Sequence, residues 1–326
     1  MKRTYFRYHH DLAKRFVKDY NLPINLVDIK YFEYMLDLFE KDYQSRTKWE
    51  KLWDVIDDKF DGSPNNFLVE FKNVRENMIQ TVANSEAYKR FNSMDMSRFA
   101  VPDKPNVPDK NVYNGDNVGK KFLSIDLSKA NFQAIKLTDK EVMLGADTWA
   151  EFAGNFTDLD YFKESKYIRQ VVFGQLNPKR CITIEKNIIN EVWKFYKEDA
   201  KYTNIVRMSN DEIVIELPDD IDEDFGLMKD EIEISVKEHM GVDVHVSIYQ
   251  LGSFYLYNKT RQKERDIWFY RTDLETKAVE LCCVPGQYSA LAYKMFHKMP
   301  VEEADYHFKW EGLDCRIMDE LDIVIN

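Results

Sequence analysis

The 326-residue sequence is poor in the residues that announce several common functions. Its four cysteines, Cys181, Cys282, Cys283 and Cys315, show no Cys-x-x-Cys spacing, which excludes the usual sulfur-bound zinc sites and redox dithiols. Adjacent Cys282 and Cys283 would alternate across a strand, so the chain reads as reduced and cytoplasmic. Glycines number only 11, and none falls in a phosphate-cradling loop, a nucleophile elbow or a dinucleotide fingerprint. No stretch approaches 18 uncharged apolar residues, so no membrane partner is expected. The opening MKRTYFRYHHDLAKRF lacks the apolar core of a signal peptide. Positive charge is not in excess either, since 46 Lys and Arg stand against 57 Asp and Glu for a net −11. A basic coat for nucleic acid is thereby excluded, and a polyanion would need a locally basic groove.

What is present is a globular composition, 44% hydrophobic and 32% charged, enough to build a core. Apolar residues spaced three and four apart predict helices over 21–43, 48–60 and about 66–91. The first 20 residues carry a local excess of positive charge, which reads first as a solvated face and second as a polyanion-facing arm. The segment 101–117 holds three prolines and marks a boundary. A short strand follows at 121–126, then helices through Trp149 and over 163–173. Asn177-Pro178 opens a helix to about Glu198, with Pro178 suited to its first position. Residues 204–217 read as two strands joined at Ser209-Asn210-Asp211. An acidic loop (219–224), a helix (228–240), strands at 242–257, 265–271 and 277–283, and a helix ending near Lys298 complete the order. The fold class is α+β, with a helical N-terminal region (1–120), a central unit (121–250) and a C-terminal β/α lobe (251–326).

Three segments carry chemistry. In the first, Asp126 ends an apolar strand and a helix begins at once; such an Asp can reach a metal ion, or it can simply cap the helix. In the second, Lys166, Arg169 and Phe173 share one helix face. A cation and an aromatic so placed can hold a triphosphate and support a base, or they are a solvated Arg above a core Phe. In the third, Asp211 and Glu212 sit at a hairpin tip where Asn-Gly or Asp-Gly would turn better. That substitution points to ligation, with a plain solvated hairpin as the alternative.

These residues carry a resemblance. Asp126-Leu127-Ser128-Lys129-Ala130-Asn131 is similar to motif A of family A DNA polymerases (Asp-Tyr-Ser-Gln-Ile-Glu). Arg169 to Phe173-Gly174 resembles their motif B helix, and Asn210-Asp211-Glu212-Ile213-Val214-Ile215-Glu216 their motif C (His-Asp-Glu-Ile-Val-Phe-Glu). The short spacing between these motifs looks more like reverse transcriptases and viral RNA polymerases. The resemblance implies a compact right-hand polymerase with an antiparallel palm sheet, a fingers-like N-terminal region and a thumb-like C-terminal lobe. It implies two Mg²⁺ ions, with Mn²⁺ as a substitute, held by Asp126, Asp211 and the Leu127 carbonyl, and Glu212 as an auxiliary catalytic group. Nucleotide contacts would come from Leu127, Ser128, Asn131, Lys166, Arg169, Phe173 and Asn177. Asn131 stands where polymerases test the sugar, with Phe132 taking that place if the register slips by one. Primer and template would run past Lys179, Arg180, Lys259, Arg261, Lys263 and Arg265. Partners are therefore a primer–template, nucleoside triphosphates and accessory replication or transcription proteins. A DNA polymerase is the first reading, an RNA-synthesising polymerase, primase or reverse transcriptase the second, and a non-catalytic palm-like binding module the third.

Overall fold

The computed structural model describes residues 6–101, 107, 111–259 and 262–326, with the backbone alone at 199 and 263–266. Most of the proline-rich loop and Arg261 therefore lie outside the described residues.

The N-terminal region is helical: α1 (His10–Asp19), α2 (Ile29–Leu38), α3 (Glu40–Tyr43), α4 (Ser45–Lys59), α5 (Pro64–Ala83) and α6 (Glu86–Ser93). Side-chain caps decide where several of these start. Asp28 accepts from the Tyr31 N–H, Ser63 from Asn66 with Pro64 in the first turn, and Ser85 from Tyr88, each satisfying a donor that the helix leaves orphaned. The helices expected over 21–43 and 66–91 are shortened or divided at these caps, because a capping residue takes an extended backbone that a continuous helix cannot hold.

The rest of the chain follows as β1 (Lys121–Leu127), α7 (Ala130–Thr138), α8 (Trp149–Gly154), α9 (Asp160–Glu164), α10 (Lys166–Gln175), α11 (Pro178–Asp199), β2 (Asn204–Met208), β3 (Glu212–Leu217) and α12 (Phe225–Met240). Then come β4 (Val244–Asn258), β5 (Lys263–Asp273), β6 (Val279–Cys282), α13 (Ser289–Phe296), β7 (His307–Trp310), β8 (Leu313–Arg316) and β9 (Leu321–Ile325). The chain is thus α+β, with one large antiparallel sheet ordered β2-β3-β1-β4-β5-β6, β9 joining β4, and β7-β8 a separate hairpin. Strand β3 lies between β1 and β2, so the first four strands with their helices follow the β-α-β-β-α-β pattern of a split β-α-β unit.

Alternation in β1 divides its side chains between two environments. Leu123, Ile125 and Leu127 enter the main core with Ile213, Ile215, Val246 and Ile248. The same core takes Phe16, Trp49, Phe67 and Trp149 from the helices, so the N-terminal region and the sheet bury their apolar faces together. On the opposite face Phe122 packs with Val112, Val214, Tyr249 and Phe269. Toward the end of β1 that second face turns polar at Ser124 and Asp126.

Strand β4 runs unbroken through residue 250, where the central unit is expected to end. One edge pairs with β1 over 244–250 and with β9 over 254–258, while the other pairs with β5. A third cluster, with Phe254, Leu256, Trp268, Leu291 and Leu321, packs beneath its distal half. Tyr270 lies across Gly252 so closely that an added Cβ would sit 2.1 Å from the ring. Gly252→Ala is therefore expected to push the ring aside and cost about 1–3 kcal/mol, read as a lower unfolding midpoint in denaturant. Among the described residues no helix is long and apolar enough to cross a membrane.

Candidate active site

The β2–β3 hairpin closes at Ser209, whose N–H donates to the Glu212 carbonyl at 2.8 Å, leaving Asn210 and Asp211 at the tip. Neither tip residue adopts a positive φ, so the turn is not held by glycine-like geometry. The Ser209 hydroxyl holds it instead, accepting from the N–H groups of Asp211 and Glu212 at 3.3 and 3.0 Å and donating to Asp211 Oδ1 at 2.9 Å. That is the local turn chemistry expected of serine, and it places acids at the tip without Asn-Gly.

Pairing then brings the two motifs together. Asp126 faces Glu212 directly across β1 and β3, and the Leu127 N–H donates to the Asp211 carbonyl at 2.7 Å. Three carboxylates thus meet at two adjacent strand ends. Glu212 is engaged, accepting from the Ser124 hydroxyl at 2.8 Å and pairing with Arg207 at 3.3 Å. The Asp126 carboxylate makes no hydrogen bond or ion pair among the described residues. It is also no helix cap, because the residue before α7 is Lys129 in the left-handed region, with no capping side chain.

Burial pushes the Asp126 carboxyl up to about 6, with the charges of Asp211 and Glu212 adding to it and Lys166 and Arg271 opposing. Crowded carboxylates in partial burial behave this way because each disfavours the ionised form of the next. Such a pair suits a hard divalent cation with oxygen ligands. Among the described residues no set of three or more His, Cys, Asp or Glu forms a complete ligand group. An ion here would therefore be held by Asp126, Asp211 and the backbone at Leu127, and completed by water and substrate oxygens.

The surrounding cleft, about 890 Å³, adds cations to the carboxylates: Lys186, Arg207 and Arg271 line it, with His245 beside them. Arg271 lies 4.4 Å from the Tyr249 ring centroid and 5.2 Å from that of Tyr113. Its buried Nε makes no hydrogen bond among the described residues. Glu185, on α11 and only 3% exposed, has an unpaired Oε1. Burial, then the charge of Asp211, pushes its carboxyl up to about 7.

The other expected residues are placed unevenly. Ser128 donates its N–H to the Asp243 carbonyl at 2.9 Å. Asn131 is half-buried in the first turn of α7, whereas Phe132 lies in the core at 2% exposure, so only Asn131 is accessible for a sugar contact. On α10, Lys166 is exposed and its charge reaches Asp126. Arg169 is half-buried, its pKa lowered by burial, and its side chain makes no hydrogen bond or ion pair among the described residues. Phe173 is 2% exposed and packs 5.6 Å from Trp149; the ring expected to support a base is a core residue.

Asn177, in the left-handed region, donates Nδ2 to Asn92 at 2.8 Å and ties α11 to α6. Lys179 is exposed, and Arg180 donates to the Met94 carbonyl at 2.9 Å. Lys259 pairs with Glu320 and Asp322, each at 3.6 Å. It lies just past the end of β4, fourteen residues beyond His245, on the order of 40 Å from the carboxylates at strand rise. Lys263 and Arg265 stand on β5 near that far end.

No family model and no curated protein matches this chain. The functional reading therefore rests on the cleft itself. Several residues in it, and the buried Glu185 behind Asp211, escape sequence reasoning. Glu185 had a signal, an acid interrupting the apolar stripe of Cys181, Ile184, Ile188 and Ile189. Arg271 and Arg207 had none, because strand pairing alone brings them beside Asp126 and Glu212.

Proposed function

We propose that the chain is a template-directed nucleotidyltransferase, a compact right-hand polymerase that extends a nucleic-acid strand, with DNA polymerase as the first reading. The observation that carries this reading is the meeting of Asp126 and Asp211 at adjacent strand ends, in one polar cleft, on a β-α-β-β-α-β frame. Strand alternation turns Asp126 and its cross-strand neighbour Glu212 away from the helix-packed core, and the hairpin tip brings Asp211 to the rim of the same cleft.

Two Mg²⁺ ions, or Mn²⁺ in their place, would supply activation of a strand 3′-hydroxyl and charge neutralisation at the leaving pyrophosphate. The remaining task of the protein is positioning. Glu212, fixed by Ser124 and Arg207, holds the geometry of the acid pair. Lys166 and the unpaired Arg169 offer positive charge to a triphosphate. Arg271, stacked between two tyrosine rings with a free donor, offers a rigid contact for a strand phosphate. Asn131 is small and able to bond a hydroxyl, which favours ribonucleotide acceptance as a second reading.

The test is extension of a labelled primer on DNA and RNA templates, with deoxynucleotides and ribonucleotides supplied separately and Mg²⁺ or Mn²⁺ present. Metal-dependent extension is expected, reduced at least ~10³-fold in Asp126→Ala and in Asp211→Ala, the scale of losing a principal electrostatic group. Folded protein that binds nucleic acid yet extends nothing under every combination would make the chain a binding module.

A further inference from the structure

We propose that the slot between α1 and α5 binds the phosphate backbone of single-stranded nucleic acid and, resting on the reading above, that this strand is the template ahead of the cleft. The slot measures about 260 Å³ and is lined by Lys14, Arg15 and Lys18 from α1 and by Lys72 and Arg75 from α5. In a chain of net charge −11, five cations converge here. The nearby carboxylates are Asp11 in the slot wall, Asp19 beside Arg15 at 3.3 Å, and Glu76 beside Lys72 and Arg75. Positive charge remains in excess, and among the described residues Lys14 and Lys18 have no ion-pair partner.

Arg15 gives the slot a built element. Its guanidinium carbon lies 3.3 Å from the Tyr167 ring centroid and 5.2 Å from that of Phe71, which fixes the plane. Its Nε faces the Asp19 carboxylate at 3.3 Å, while one Nη is buried without a hydrogen bond among the described residues. A planar fork held in place with one unused donor is suited to an oxyanion.

Position favours nucleic acid over other anions. Tyr167 follows Lys166 on α10, and Lys166 is the cation whose charge reaches Asp126. One helix therefore borders both the carboxylate cleft and the basic slot. The cations face into a concavity between two helices, whereas a lipid surface is met best by charges on a convex face.

The experiment measures fluorescence anisotropy of labelled single-stranded DNA and RNA oligonucleotides over a range of salt, using the full chain. It compares wild type with a triple variant, Lys14→Gln, Lys18→Gln and Lys72→Gln, at exposed positions. A control variant carries Lys30→Gln, Lys51→Gln and Lys298→Gln, also exposed. The slot variant is expected to bind 10- to 100-fold more weakly at low salt. Its slope of log affinity on log salt is expected to fall by about 2, since each single-strand phosphate contact contributes roughly 0.7. Asp126→Asn is expected to bind like wild type while failing to extend, which separates this proposal from the catalytic reading. Equal binding by slot and control variants would overturn the proposal. So would a slot variant that loses phosphatidylserine vesicles, or inorganic pyrophosphate, while keeping its oligonucleotide affinity.

Discussion

Asp126→Asn is expected to abolish strand extension and, at the same time, to stabilise the metal-free protein. The stabilising half follows from the position of the carboxyl, held at about 6 in the fold by burial and by Asp211 and Glu212. A native state that holds a proton more tightly than the unfolded chain is favoured at low pH, and that advantage is lost as pH rises through about 6. At pH 8 the wild type carries an ionised Asp126 against two like charges. The shift taken at face value is worth about 3 kcal/mol; solvent screening of the partly exposed group reduces it to about 1–2 kcal/mol. Asparagine keeps the shape and removes the charge. Thermal unfolding in a chelator should therefore show the variant a few degrees more stable at pH 8 and level with wild type near pH 4. Mg²⁺ should then raise the midpoint of the wild type by mass action and leave the variant nearly unmoved. A variant that is less stable at every pH would make Asp126 a structural residue.

Phe173→Ala is expected to be among the most destabilising single changes in the chain, by about 3–5 kcal/mol. The ring is 2% exposed and packs against Trp149, itself 1% exposed, so removing it leaves a cavity that a close-packed core relaxes into only partly. Phe173→Leu conserves much of the volume and should cost less than about 1.5 kcal/mol with extension retained. Denaturant unfolding of both variants, together with steady-state kinetics of the leucine variant, distinguishes the roles. A normally stable Phe173→Leu with a tenfold higher KM for the nucleotide would return the ring to the substrate.

The contrast between these two residues shows where the sequence is readable. Asp126 and Asp211 announce themselves through local chemistry: a strand that ends on an acid, and a tight turn lacking its usual glycine. Helix starts are equally local, which is why Asn177-Pro178 marks the start of α11 correctly. Phe173 is different. Its spacing from Arg169 describes a helix face, but whether that face meets a ligand or a core depends on α8 and the helices around it. The same non-local pairing hides Arg271, which β4 brings to the cleft, and β9, which returns some 70 residues later to the edge that β1 vacates. The basic turn at Lys259 reads locally as a duplex contact, yet strand length carries it far from the acids.

The unbroken path of β4 has a consequence for how this molecule can be taken apart. A strand that pairs with β1 at one end and with β9 at the other offers no hinge and no linker between the cleft and the distal lobe. A cut at residue 250 would strip both pieces of a central strand, so neither is expected to survive as a soluble fragment. The lobe is not a detachable module that could be traded for another while the cleft is kept. Changes that bend its far half would act on the acids as on the short arm of a lever.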